Sequence, residues 1–241
     1  MNLYGITDIG RKRESNQDVF YTHKFDDRIG FAIVCDGMGG QSGGNIASDM
    51  TCAIVSGKLL EENIETVAPG EIKDIMIQAL SEANIEVYKK SNLEPGCKGM
   101  GTTAILAVVA DNVARIAHVG DSRLYLFTDL GLHQVTRDHS LVQELLEQGK
   151  ISEEEVRHHP NKNMITRAIG VGITVDIDYL ELLLDSGSKL LLCTDGLTNM
   201  LTDTEIYSLL RESPAQEACH KLIAMANEAG GADNITVAII E

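Results

Sequence analysis

Four aspartates stand at the ends of apolar, strand-like runs. Asp36 closes AIVCD, Asp121 follows AHVG, Asp195 follows LLLCT, and Asp233 stands one residue before ITVAII. A fifth, Asp18, ends Glu14-Ser-Asn-Gln-Asp18 just ahead of strand-like residues 19–22. Strand ends on one edge of a sheet can converge, and carboxylates brought together repel one another unless a cation neutralises them. Hard divalent cations take oxygen ligands, and Mg²⁺ and Mn²⁺ favour octahedral sites with a few carboxylates and several waters. Two such ions roughly 3.5–4 Å apart can share a carboxylate, activate a water and shield the oxygens of a phosphate ester. Asp-Gly is also the commonest hairpin signal, so Asp36-Gly37 and Asp195-Gly196 alone could be turn residues. The run Gly37-Met-Gly-Gly40 carries more glycine than a hairpin needs, and such a backbone can approach an ion or a phosphate closely.

The elements that must position these groups come in two batches. The apolar run 29–35 predicts a strand ending at Asp36-Gly37. Two helical stripes follow: Ile46, Ala47, Met50 and Ile54, then Ile72, Ile75, Met76, Ala79, Leu80, Ala83 and Val87. Gly96, Gly99 and Gly101 open a group of strands at about 102–109, 113–119, 122–127 and 132–136, with tight turns at residues 110–112 and 120–121. Ser140 is placed to cap a short helix, and Ser152-x-x-Glu155 forms a capping box for another. The polar stretch from about 145 to 167 reads as an excursion from the sheet. Strands resume at 177–184 and 189–194. Thr202-x-x-Glu205 caps a further helix, a helical face from Ala215 to Ala226 follows, and residues 235–240 form a last strand. Strands followed by helices, rather than strict alternation, point to antiparallel sheets covered by helices.

The bulk properties narrow the class. At 241 residues and 44% hydrophobic, the chain can build one sizeable core. Aromatics are 4% and Trp is absent, so that core is aliphatic. A net charge of −16 repels phosphate backbones and argues against nucleic acid as a partner. Five cysteines, Cys35, Cys52, Cys97, Cys193 and Cys219, include no CxxC spacing. An odd count argues against a disulfide framework or a zinc site and suits a reducing cytoplasm; Cys35 and Cys193 read as core residues. No signal peptide is expected, nor membrane insertion, because no apolar run approaches the ~20 residues of a span.

The ordered motifs resemble the metal-dependent protein phosphatases, the protein phosphatase 2C family, in its compact bacterial form. They are Arg13-x-x-Asn16-Gln17-Asp18, Asp36-Gly-Met-Gly-Gly40, Gly99-Met-Gly-Thr-Thr103, His118-Val-Gly-Asp-Ser-Arg123, Thr166-Arg-Ala-Ile-Gly170, Thr194-Asp-Gly-Leu197 and Asp233-Asn-Ile-Thr236, and they span essentially the whole chain. The resemblance implies an α+β fold, a β-sandwich of two antiparallel sheets flanked by pairs of α-helices. It implies one catalytic domain over 1–241, with the excursion at about 145–167 as a flap beside the active site. It also implies hydrolysis of phosphoserine and phosphothreonine by direct attack of a water bridging two Mn²⁺ or Mg²⁺ ions. Carried over by position, Asp36 bridges both metals, the Gly37 carbonyl binds the first, and Asp195 and Asp233 bind the second. Asp121, with Asp195, matches a third, weaker site; Asp18 holds its metal through water, and Arg13 grips the substrate phosphate. The implied partners are phosphorylated proteins and an opposing serine/threonine kinase, in signal transduction, with the chain acting as a cytoplasmic monomer.

One position departs from many relatives: Met38 stands where eukaryotic members carry a His read as general acid. That leaves metal-bound water or the flap residues His158 and His159 as acid candidates, although paired histidines beside Pro160 are commonly surface residues. Gln41 stands where some relatives place a His, and no role is assigned to it. His118, on an apolar strand before a turn, reads as a core histidine. Two other functions fit the same motifs: a catalytically silent module that binds phosphoproteins, and a phosphatase of a small phosphorylated metabolite.

Overall fold

The structure is a computed structural model. It describes the backbone of residues 1–241 and every side chain except those of Gly40, Gln41, Ser42 and Arg157. Gln41 therefore lies outside the described side chains.

The chain begins with β1 (Leu3–Asp8), β2 (Asp18–Lys24) and β3 (Ile29–Met38), then the long helices α1 (Gly40–Glu61) and α2 (Pro69–Leu93). A 3-10 turn (Pro95–Cys97) leads into β4 (Gly101–Thr102), β5 (Ala104–Ala110), β6 (Val113–Val119), β7 (Arg123–Thr128) and β8 (Gly131–Gln134). Short helices α3 (Leu141–Glu147) and α4 (Glu153–His158) precede β9 (Asp178–Leu183) and β10 (Lys189–Cys193). The chain ends with α5 (Asp195–Thr198), α6 (Asp203–Glu212), α7 (Ala215–Glu228) and β11 (Ile235–Ile240).

The strands form two sheets, ordered β1-β11-β10-β7-β8 and β2-β3-β5-β6-β9, with β4 paired to β3. Every pairing is antiparallel. Side chains alternate across a strand, so each central strand feeds two cores. On β3, Phe31, Ile33 and Cys35 face α1 and α2, while Ala32 and Val34 face the other sheet. On β11, Ile235, Val237 and Ile239 face α6 and α7, while Ala238 and Ile240 point into the sandwich. These strands are buried on both faces and read as unbroken apolar runs, which is why the sequence pattern alone yields strands without revealing two stacked sheets. The outcome is the expected α-β-β-α sandwich.

The helices form where the apolar stripes predict. Ile72, Met76, Ala79, Leu80, Ala83 and Val87 of α2 are all buried. Ser140, Ser152 and Thr202 cap α3, α4 and α6 as expected, and the last two complete capping boxes with Glu155 and Glu205. The β5–β6 turn is a two-residue hairpin in which Asp111 and Asn112 both take positive φ, the conformation such a turn requires. Among the described residues, no helix is long and apolar enough to cross a membrane. All five cysteines are buried and unbridged.

Three expectations are corrected. The strand at 102–109 is broken, because Thr103 leaves the ladder to bind the backbone of Asp36. Its amide donates to the Asp36 carbonyl (2.9 Å) and its hydroxyl accepts from the Asp36 amide (3.0 Å). The strand at 29–35 runs on to Met38, so Asp36 lies within a ladder rather than at its end. Asp195 does not begin a simple turn; it opens α5. β1 is an additional edge strand, half-buried along its length and paired with β11 from Leu3↔Ile240 to Asp8↔Ile235. Beyond that ladder, Asn2 and Glu241 exchange two backbone hydrogen bonds.

Candidate active site

A cavity of about 440 Å³ opens at one end of the sandwich, and Asp36, Asp121, Asp195 and Asp233 all line it, with Arg13, Gly37, Met38, Thr103, Asn163 and Ile165. Each carboxylate arrives from a different connection. β3 delivers Asp36, the β6–β7 turn Asp121, the start of α5 Asp195, and the approach to β11 Asp233.

Two glycines make this convergence possible. A Cβ on Gly37 would lie 2.3 Å from the Gly44 carbonyl oxygen and 2.7 Å from that of Gln17; a Cβ on Gly196 would lie 1.9 Å from the Asn234 carbonyl oxygen. Only glycine permits either approach. The tight contact at Gly37 is therefore made with the protein's own backbone, a reason the sequence reading did not foresee.

Asp18 sits behind the cavity, directly across the β2–β3 ladder from Asp36. Its Oδ2 accepts from the hydroxyls of Thr194 (2.8 Å) and Thr236 (2.7 Å), which belong to the opposite sheet. Its Oδ1 is buried with no hydrogen-bond partner. A buried, half-satisfied carboxylate is costly unless something compensates it.

The electrostatics report the same strain. Burial pushes Asp18 up to about 7, against the pull of the two threonine hydroxyls and with added repulsion from Asp195 and Asp233. Burial, then repulsion from Asp18, Asp195, Asp121 and Asp233, hold Asp36 well above the usual carboxylate range. Asp121 rises to about 8 through burial and the charges of Asp195 and Asp138. Asp195 rises to about 6 through burial and Asp233, moderated by a hydrogen bond from Asn199. Arg13 donates to Asp233 at 2.6 Å, and that bond lifts the guanidinium above its ordinary value despite partial burial.

Among the described residues, no three His, Cys, Asp or Glu side chains are already drawn close enough to grip an ion. The donor set nonetheless fits hard divalent cations. It is all oxygen, it includes an orphaned buried carboxylate oxygen, and its members raise one another's pKa values, so a cation among them would be stabilised.

A model of the protein phosphatase 2C family matches residues 9–234. The chain belongs to that family. Protein phosphatase PhpP of Streptococcus pneumoniae is 40% identical across 100% of this chain and 97% of its own length. The serine/threonine phosphatase of S. agalactiae superposes with a TM-score of 0.92 at 38% identity, covering 99% of this chain and 98% of that one. The catalytic domain of the serine/threonine protein phosphatase PstP, solved with two manganese ions, superposes with a TM-score of 0.86 at 30% identity, covering 99% and 96%.

Within this protein phosphatase 2C fold, several groups that shape the site were not singled out in the sequence. Asn234 accepts from the Gln17 amide and donates to the carbonyls of Ile9 and Ser15, tying the Arg13 loop to Asp233. Arg123 chelates Asp138 with three bonds of 2.7–3.0 Å and fixes the start of β7. Thr194 and Thr236 hold Asp18. All but Asp138 lie inside the quoted motifs, so the signal was present without a role attached. His118 is buried, as expected of a core histidine. His158 is exposed, His159 half-buried, and neither lines the cavity.

Proposed function

We propose that residues 1–241 act as one metal-dependent serine/threonine protein phosphatase domain, cytoplasmic and monomeric, opposing a serine/threonine kinase, with residues 145–167 as a flap beside the active site. The observation that carries this reading is the meeting of four carboxylates, remote in sequence, in one cavity where burial and mutual repulsion demand cations. Asp36, the Gly37 carbonyl, Asp195 and Asp233 would hold paired Mn²⁺ or Mg²⁺ ions, and Asp121 with Asp195 a third. Cations bound there lower the pKa of a water and screen the phosphate dianion from its nucleophile.

The chain's own residues supply the rest. Asp18 backs Asp36 from across the ladder and would hold a cation through water. The Arg13 guanidinium, about half exposed beside Asp233, offers a planar fork to two phosphate oxygens and offsets charge in the transition state. Met38 on the cavity wall has no proton to give, so the leaving alkoxide takes its proton from water rather than from that side chain. Asn163 and Ile165 bring the flap's return segment to the cavity wall.

The test is hydrolysis of p-nitrophenyl phosphate with Mn²⁺, with and without EDTA, followed by a phosphothreonine peptide against nucleotides. Mn²⁺-dependent turnover that favours the peptide is expected. No turnover would make the chain a silent phosphoprotein-binding module, and preference for nucleotides would make it a metabolite phosphatase.

A further inference from the structure

His139 lies outside the cavity, is 2% exposed, and joins three segments that meet at its edge. Its amide donates to the Gly120 carbonyl at 2.8 Å, and its carbonyl accepts from the Thr166 amide at 2.8 Å. Its ring Nδ1 accepts from the Gly120 amide at 3.0 Å. Gly120 immediately precedes Asp121, and Thr166 immediately follows the cavity-lining Ile165. One residue therefore holds both the N–H and the C=O of Gly120 together with the flap's return segment.

The tautomer follows from these contacts. A ring nitrogen that accepts from a backbone N–H carries no proton, so the proton of the neutral ring is on Nε2. Asp178 Oδ2 accepts that proton at 3.1 Å, and its Oδ1 accepts from Arg167 at 2.8 Å. The 3.3 Å approach of Arg167 Nη1 to Nε2 sets two donors face to face, so it is packing rather than a hydrogen bond. His118 stacks on the ring at 4.7 Å between centroids.

We propose that His139, held in its Nε2–H tautomer by Asp178, is a positioning residue that fixes the Gly120–Asp121 turn and so the aim of the Asp121 carboxylate. This rests on the proposed role of Asp121 in the weaker cation site, but the clamp itself can be read without any metal. Asn and Gln separate its two contacts. Asn places an acceptor where Nδ1 stands and keeps the bond from Gly120, whereas Gln reaches the position of Nε2 and keeps only the bond to Asp178.

The experiment is amide hydrogen exchange at Gly120 in the metal-free protein, together with Mn²⁺ titration calorimetry, for wild type, His139→Asn and His139→Gln. Loss of a buried backbone partner speeds exchange roughly ten- to a hundredfold, so the Gln variant should exchange that much faster and the Asn variant within about threefold of wild type. Groups that orient a metal ligand typically govern affinity by roughly 10–100-fold, so the Gln variant should weaken only the weakest Mn²⁺ site, by about tenfold or more. Equal Gly120 exchange in the two variants, or a loss shared by all Mn²⁺ sites, would overturn the assignment. If one variant fails to fold, the other decides against wild type. Fast exchange with Asn, or unchanged exchange with Gln, removes the clamp. A wild type that takes up no Mn²⁺ sinks the phosphatase reading instead and leaves the Gly120 comparison to decide the role of His139.

Discussion

Replacing Asp18 with Asn should stabilise the metal-free protein while weakening its hold on cations. The Asp18 carboxyl rises from 3.8 to about 7 on folding, roughly three pH units. At ~1.4 kcal/mol per unit, this is about 4 kcal/mol of stability lost once the group must stay charged. The cost is absent below pH 3.8, grows as pH rises toward 7 and is constant above it. Asn keeps an acceptor for Thr194 and Thr236, but it places an amide where the orphaned Oδ1 stood, at a cost of ~1–2 kcal/mol. A net gain of about 2–3 kcal/mol remains, or about 5–10 °C in Tm for a chain of this length. The assay is thermal unfolding in EDTA at pH 5 and pH 8. The variant's advantage should be largest at pH 8, shrink at pH 5, and reverse in saturating Mn²⁺, where wild type alone gains the full linkage. A variant that melts at or below wild type at pH 8 in EDTA would refute the picture of a strained, uncompensated carboxylate.

Asp36→Asn or Asp233→Asn should cut phosphatase turnover by roughly 10³-fold or more while the far-ultraviolet circular dichroism stays unchanged; wild-type-like turnover in either would refute the ligand assignment. Arg13→Ala should lower kcat/KM by roughly 10–100-fold, with Arg13→Lys in between because an ammonium cannot form the planar fork; steady-state kinetics on a phosphothreonine peptide reads this directly. Because Asp195, Asp18 and Asp121 rise to about 6, 7 and 8, protons compete with cations as pH falls from 8 to 6. The Mn²⁺ concentration for half-maximal activity should therefore climb across that window, and calorimetry should detect proton release on binding. Cys193→Ala should cost about 1–2 kcal/mol in denaturant unfolding and leave turnover intact, since no thiol takes part in the chemistry.

How much of this was legible depended on whether each signal was local. The α2 stripe and the caps at Ser152 and Thr202 are local patterns, and each one formed as read. β1 escaped notice because Leu3–Asp8 is a half-buried edge whose character comes from its partner β11, far away in sequence. The break at Thr103 and the start of α5 at Asp195 are likewise set by distant backbone, that of Asp36 and of Thr236, which bonds the Thr194 cap. The pairing of two sheets came from the resemblance to a family, since strands apolar on both faces do not say what covers them. Clustering of the aspartates could be argued from charge, but the two threonines behind Asp18 could not, because nothing in Thr194 or Thr236 by itself marks a hydroxyl that crosses from one sheet to the other.

The ladder between β1 and β11 has a practical corollary. Its Asp8↔Ile235 end abuts the carboxylates, whereas its Leu3↔Ile240 end lies about 17 Å away at the strand rise of ~3.3 Å per residue. A polypeptide extended past Met1 or Glu241 would thus emerge at the ladder end away from the carboxylate-lined mouth, with both extensions side by side. Tethers, anchors or fused modules attached there could hold the enzyme to a surface and leave its mouth facing outward.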